Sequence, residues 1–491
     1  MKAFRTLAVG LFTLMAWSAL ASSQEAFTAG TWTKLTNATP NGAGINQILL
    51  LQDGTVMAQD AKFATPNNWY KLTPDNSGSY INGKWTTRAA LTIYDPLYFA
   101  SAVLPDGRVL IEGGEYDKGN PVWTTKGAIF NPRTNSWLSM TPPSGWTTIG
   151  DAQSVILPNG TLMLANCCTT QEALLSASTL TWTTTGTGKA DINDEEGWTL
   201  LPDGNVLTVD ANNTSDLTNS EIYNTATGTW STGGSTIVKL DDTTSTGGGS
   251  HELGPGVLRP DGTVFYAGAT TNNATYNTAT GVWAAAPSFG SGLDMADAPA
   301  ALLPDGNVLL DTSPGIFGTG CKFFEWDGTA LNSVPGPPNA SIDSSYYGHM
   351  LVLPTGQILF TDFSSDVEIY TPSGSAQSAW APTIKHVSAT LTHGIRNNII
   401  AGTQFNGLSQ GAAYGDDTQN ATNFPLVRIT NNATGHVFYA NTHNPSTMGV
   451  ATGSTLVSAK FDVPSTIETG ASSLVVVANG IPSAAVAVTI N

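Results

Sequence analysis

Tyr98-Phe99-Ala100-Ser101-Ala102-Val103-Leu104-Pro105-Asp106-Gly107-Arg108-Val109-Leu110-Ile111-Glu112-Gly113-Gly114 decides how this chain folds. Two apolar runs flank a Pro-Asp-Gly turn, the pattern of a β-hairpin in which the glycine supplies positive φ and the runs become strands. The same unit occurs seven times. Its other turns are Gln52-Asp53-Gly54, Pro158-Asn159-Gly160, Pro202-Asp203-Gly204, Pro260-Asp261-Gly262, Pro304-Asp305-Gly306 and Pro354-Thr355-Gly356. From Gly54 to Gly356 is 302 residues in six intervals, a period of about 50.

A period near fifty with one hairpin per unit predicts a β-propeller of kelch type with seven blades. A third strand follows most hairpins, as in Ala128-Ile129-Phe130-Asn131 and Glu221-Ile222-Tyr223-Asn224, and a tryptophan marks the outer strand at Trp85, Trp137, Trp182, Trp230, Trp283 and Trp326. Tryptophans at one fixed place in a repeat are expected to wedge blade against blade. Gly30-Thr31-Trp32-Thr33-Lys34-Leu35 looks like an outer strand without its hairpin, so it is expected to join the last blade and close the ring. Beyond Pro382 the repeat stops. The fold expected is all-β: residues 22–380 a seven-bladed kelch β-propeller, and 381–491 a β-sandwich of immunoglobulin-like, early-set type.

Composition agrees with many short strands: 51 glycines, 27 prolines and only 11% charged residues. Lys2 and Arg5, the apolar run Leu7 to Leu20 and the small-x-small site Ala19-Leu20-Ala21 read as a signal peptide over 1–21. Its apolar run is shorter than the ~20 residues that span a bilayer, so a secreted protein, extracellular or periplasmic, is expected, with no membrane span. A net charge of −18, about −20 after cleavage, argues against a nucleic-acid partner. Cys167, Cys168 and Cys321 form no disulfide framework; the adjacent pair could be a vicinal disulfide or two thiols.

The hairpin quoted above, together with Phe424-Pro425-Leu426, Thr430-Asn431-Asn432 and Val463-Pro464-Ser465, resembles the galactose oxidase and glyoxal oxidase family of secreted copper radical enzymes. That resemblance implies a copper ion on the propeller axis, held by two tyrosines and two histidines, with one tyrosine cross-linked to a cysteine. Tyr98 matches the cross-linked tyrosine and Tyr346 the axial one. Ile45-Asn46-Gln47-Ile48 stands where the cysteine belongs, Tyr347 replaces one histidine with His349 two residues on, and Gln419 replaces the other, with His443 as a distant substitute. Glutamine is a poor copper ligand. Copper is therefore not expected, and no metal site is assigned.

Counting back nine residues from each turn glycine reaches the start of each inner strand, where Tyr98, Asp151, Glu195, Leu253 beside His251 and Glu252, and Asp297 fall. In a chain with few charges these carboxylates predict an acidic axial pocket rimmed by Tyr98, Tyr346 and Tyr347. Such a pocket suits an extracellular carbohydrate or other polar small molecule, with His251, His349 and Gln419 among the binding groups. Two alternatives stand beside it: hydrolase or lyase chemistry on the paired carboxylates Asp151, Glu195 and Asp297, and an altered copper oxidase. Calcium is a possible ligand of the same carboxylates. Acidic residues before inner strands could also simply cap turns.

Overall fold

The computed structural model describes residues 27–243 and 249–491; the expected signal peptide lies outside them. The described residues form strands, three short 3₁₀ turns and no α-helix. No helix among them is long and apolar enough to cross a membrane.

Seven antiparallel sheets carry the repeat; in the first six, four strands follow chain order from the innermost outward. The second is typical. Ala100–Val103 pairs Val109–Glu112, with Val103 opposite Val109, and Gly127–Asn131 and Ser136–Met140 follow outward. The inner two strands are fully buried, so their near-continuous apolar runs face neighbouring sheets on both sides. The connecting turns that carry aspartate repeat one device. The glycine is left-handed, at φ +87 for Gly107 and +90 for Gly306, while the aspartate before it keeps a negative φ. The aspartate carboxylate instead accepts the backbone N–H two residues on, 3.1 Å from Arg108 and 3.0 Å from Asn307.

Tryptophans join sheet to sheet. The indole N–H of Trp137 donates to the Ala89 carbonyl at 2.9 Å, that of Trp182 to Thr141 at 2.8 Å, and that of Trp283 to the Ser220 hydroxyl at 2.9 Å, each partner lying at or just beyond the preceding sheet. Thr31–Lys34 pairs Glu368–Thr371 in register, Thr31 opposite Thr371, and so completes the last repeat with the first strand of the described chain. Trp32 reaches the Pro335 carbonyl at 2.7 Å, the same wedge at the point of closure.

After residue 382, nine strands hydrogen-bond along one path, from Thr383–Val387 at one end to the short parallel pair of Thr390–Leu391 with Val486–Ile490 at the other, and Val437–His443 links its two parts, pairing Leu426–Asn431 up to Ala440 and Val457–Asp462 from Asn441 on. Leu391, Ile400, Phe405, Val427, Phe461 and Leu474 gather into its core. One segment leaves this region: Ala412–Ala413 adds a fifth strand to the sixth repeat, Ala413 opposite Ala300. That addition delivers Tyr414, Asp416 and Asp417 to the place where the inner strands meet.

Candidate functional site

Two residues before its inner strand, the second repeat holds Tyr98 at φ +50; at the same repeat position Glu195 is at +59 and Asp297 at +46. A side chain with a Cβ in this region costs on the order of 1–2 kcal/mol. Three such residues at equivalent positions mean that the turn onto the inner strand is sharp, and the turn aims their side chains into one space. In the third repeat the bend falls one residue earlier, on Gly150 at φ +74, and Asp151 follows it.

These side chains line a pocket of about 270 Å³. Its walls hold Asp151, Glu195, Glu252 and Asp297 from the repeats, Asp416 and Asp417 from the added segment, and Glu115 from a small hairpin over the mouth. Among the described residues, no lysine, arginine or histidine lines it. Oxygens of Asp151, Glu195 and Asp416 lie within 4.8 Å of one another, and so do those of Glu195, Glu252 and Asp297. Two unit charges at that separation repel by about 3 kcal/mol even at an effective dielectric constant of 20.

The carboxyls respond as that repulsion requires. Burial, then the charge of Glu252 and Asp416, holds the Glu195 carboxyl well above the usual range; burial and the charges of Glu115 and Asp417 do the same to Asp151. Asp297 is pushed up to about 7 chiefly by burial, as is Asp417, where the charge of Asp297 adds to it. Close approach of the added segment depends on glycine: a Cβ at Gly415 would stand 2.6 Å from an Asp297 oxygen, and one at Gly197 only 2.2 Å from the Gly415 carbonyl.

Aromatic side chains form the upper wall. Tyr116 packs edge-on to Tyr98 at 6.0 Å and Phe63 to Tyr116 at 5.0 Å, while Phe317 meets Tyr346 at 5.5 Å. Phe317 is 73% exposed and Phe63 51%. Both present apolar ring to solvent at the mouth, which their own packing does not require.

Of the residues expected from the sequence, Tyr98, Asp151, Glu195, Asp297 and Tyr346 converge here. Four others do not. Tyr347 does not line the pocket; its ring packs behind Tyr346 at 4.2 Å and on Phe363 at 5.2 Å. His349 is buried, stacked on Tyr414 at 5.4 Å with rings 8° from parallel, and burial lowers its pKa to about 4. His251 sits apart with its Nδ1 3.5 Å from the Ala211 carbonyl. Gln419 is buried beyond the pocket floor, 3.5 Å from the Gln410 amide, because the segment has already turned inward at Asp416 and Asp417. His443 pairs with Asp462 at 3.2 Å on the C-terminal sheet. Glu115, Tyr116, Phe63, Phe317, Asp416 and Asp417 were not anticipated. Asp416-Asp417, directly after Tyr414-Gly415 in a chain so poor in charge, was the available signal for the last two.

No family profile matches this chain, and no curated protein matches it. Solved structures do. A fungal alcohol oxidase of the AA5 family, in complex with copper, is similar with TM-score 0.50 at 12% identity, covering 94% of this chain and 99% of that one. A streptogramin B lyase is similar at TM-score 0.47 and 12% identity over 70% of this chain and 98% of that one, and a virginiamycin B lyase from Staphylococcus aureus at 0.44 and 13% over the same shares. The resemblance to galactose oxidase-like oxidases read from the sequence is thereby a likeness of fold.

Proposed function

We propose that this chain is an exported seven-bladed propeller over 22–380, closed by Thr31–Lys34, with an immunoglobulin-like domain over 381–491, and that its axial pocket binds an extracellular carbohydrate or similar polyhydroxylated ligand. One observation carries the reading: a floor of carboxylates with no basic lining residue beneath a rim of exposed aromatic rings. Carboxylate oxygens accept hydrogen bonds from hydroxyls, and aromatic faces cover the apolar C–H faces of a sugar ring. An anionic ligand would be repelled.

Copper radical chemistry does not fit these residues. The aromatic neighbours of Tyr98 are Tyr116 and Phe363, no cysteine or imidazole lines the pocket, and burial raises the Tyr98 phenol far from tyrosinate. The test is calorimetric binding of mono- and oligosaccharides together with assays for released product. Wild type is expected to bind without turnover, and Phe317→Ala to weaken binding roughly tenfold by removing the exposed ring. Product from a polysaccharide panel would instead make the carboxylates a hydrolase or lyase site. Peroxide release with bound copper would overturn the reading.

A further inference from the structure

Among the described residues, two gatherings of buried carboxylates differ in what balances their charge. Asp191, Glu196 and Glu221 surround the ammonium of Lys189 at 2.5, 3.1 and 2.7 Å, so that group carries its own cation. At the axis five carboxylates form two triads that share Glu195, and among the described residues no lysine, arginine or histidine lines the pocket. Proximity of acids alone would not make a site. A second feature does: Asp416 and Glu252, 5% and 8% exposed, each hold one carboxylate oxygen with no hydrogen-bond partner while lining the pocket. Asp297 and Asp151 each hold another. Buried polar atoms are ordinarily satisfied, so oxygens left open on four residues around one space mark the place of a missing positive partner.

We infer that the floor of the axial pocket is a hard divalent-cation site of calcium type, with Glu195 common to both triads, Asp151 and Asp416 on one side and Glu252 and Asp297 on the other. The donors are all oxygen, which excludes the preference of soft metals for sulfur and nitrogen. Calcium takes six to eight oxygens at about 2.3–2.6 Å, so ligands on opposite sides of one ion stand about 5 Å apart, and each triad spans less than that. The aromatic rim leaves the ion's outer side open, where two hydroxyls of a bound ligand could complete the coordination. The site also ties the segment after Ala413 to the repeats, since Asp416 comes from one and the other four ligands from the other.

The test is calorimetric titration of calcium chloride into chelator-treated full-length protein with no sugar present, with thermal melting alongside. Wild type is expected to bind calcium and to melt higher with it. Glu195→Gln should lose affinity roughly tenfold or more, and Asp416→Asn likewise, should the first variant fail to fold. Glu468→Gln, on the exposed His436 pair, should bind as wild type does. No heat and no melting shift with calcium, magnesium or manganese at millimolar concentration would overturn the inference, as would full calcium affinity in a folded Glu195→Gln protein. The inference shares its pocket with the ligand reading, yet the two fail separately. Calcium binding without any sugar binding sinks only the latter, and sugar binding unchanged by chelator and without calcium heat sinks only the former.

Discussion

Asp297→Asn should stabilise the metal-free protein. Asparagine tolerates the left-handed backbone that Asp297 adopts, and it removes one carboxylate from a group with no counter-charge. A higher melting temperature than wild type in chelator, reversed in calcium, is the expected result; a lower one in both would place the pocket's cost elsewhere. Lys189 supplies the converse. Lys189→Met leaves Asp191, Glu196 and Glu221 buried without their ammonium, and breaking a buried ion cluster by removing one partner costs about 3–5 kcal/mol, to be read from the urea midpoint. At this scale the sequence was legible wherever the repeat fixed the position. Tyr98, Asp151, Glu195 and Asp297 share one offset from a turn glycine, and all four reach the pocket. Glu115 and Tyr116 belong to an excursion peculiar to one repeat, so no periodicity could place them. Gln419 was misplaced because register alone cannot say where a loop outside the repeat turns.

Hairpins, wedges and closure belong to the scale of elements, and these were written most openly in the sequence. A Pro-Asp-Gly turn fixes both its strands, and a tryptophan marks the outermost one at Trp85, Trp137, Trp182, Trp230 and Trp283, whereas Trp326 ends the third strand of the sixth sheet, with Leu331–Val334 outside it. What could not be read was the crossing of Ala412–Ala413 to the sixth repeat. A two-residue strand has no periodicity, and its pairing with Ala300 and Ala301 is set by tertiary contact. Closure provides the test. Trp32 packs against Phe323, Phe360 and Tyr370 at 4.9 to 5.5 Å and donates to Pro335, so it binds the first described strand both to the last sheet and to the one before. Trp32→Ala should cost about 2–3 kcal/mol, less than full burial would give because the ring is partly exposed. Limited proteolysis should then cut first near residues 27–36, and a first cut elsewhere would mean that the ring opens at another seam.

For the molecule as a whole, buried acids should set the dependence of stability on pH. Glu172 is pushed up to about 8, above all by burial, although both its oxygens accept the Trp230 indole N–H at 2.8 and 2.9 Å. Glu368 is pushed up to about 9 by burial and by the charges of Asp362 and Asp366, and Glu112, with neither oxygen partnered, lies well above the carboxylate range. A carboxyl whose folded pKa exceeds its unfolded one holds its proton more tightly when folded. Its contribution is complete below about pH 4.5 and is lost as pH rises through the folded value, at up to about 1.4 kcal/mol per pH unit for each group. His349 opposes this: lowered to about 4, it weakens the fold as pH falls below about 6.5. One imidazole stands against three or more carboxyls. Thermal melts in chelator should therefore show a higher Tm at pH 5.5 than at pH 9. Glu172→Gln, which keeps an oxygen for Trp230, should flatten the fall between pH 5 and 8, and an unchanged slope in that variant would show that Glu172 is already ionised in the folded protein.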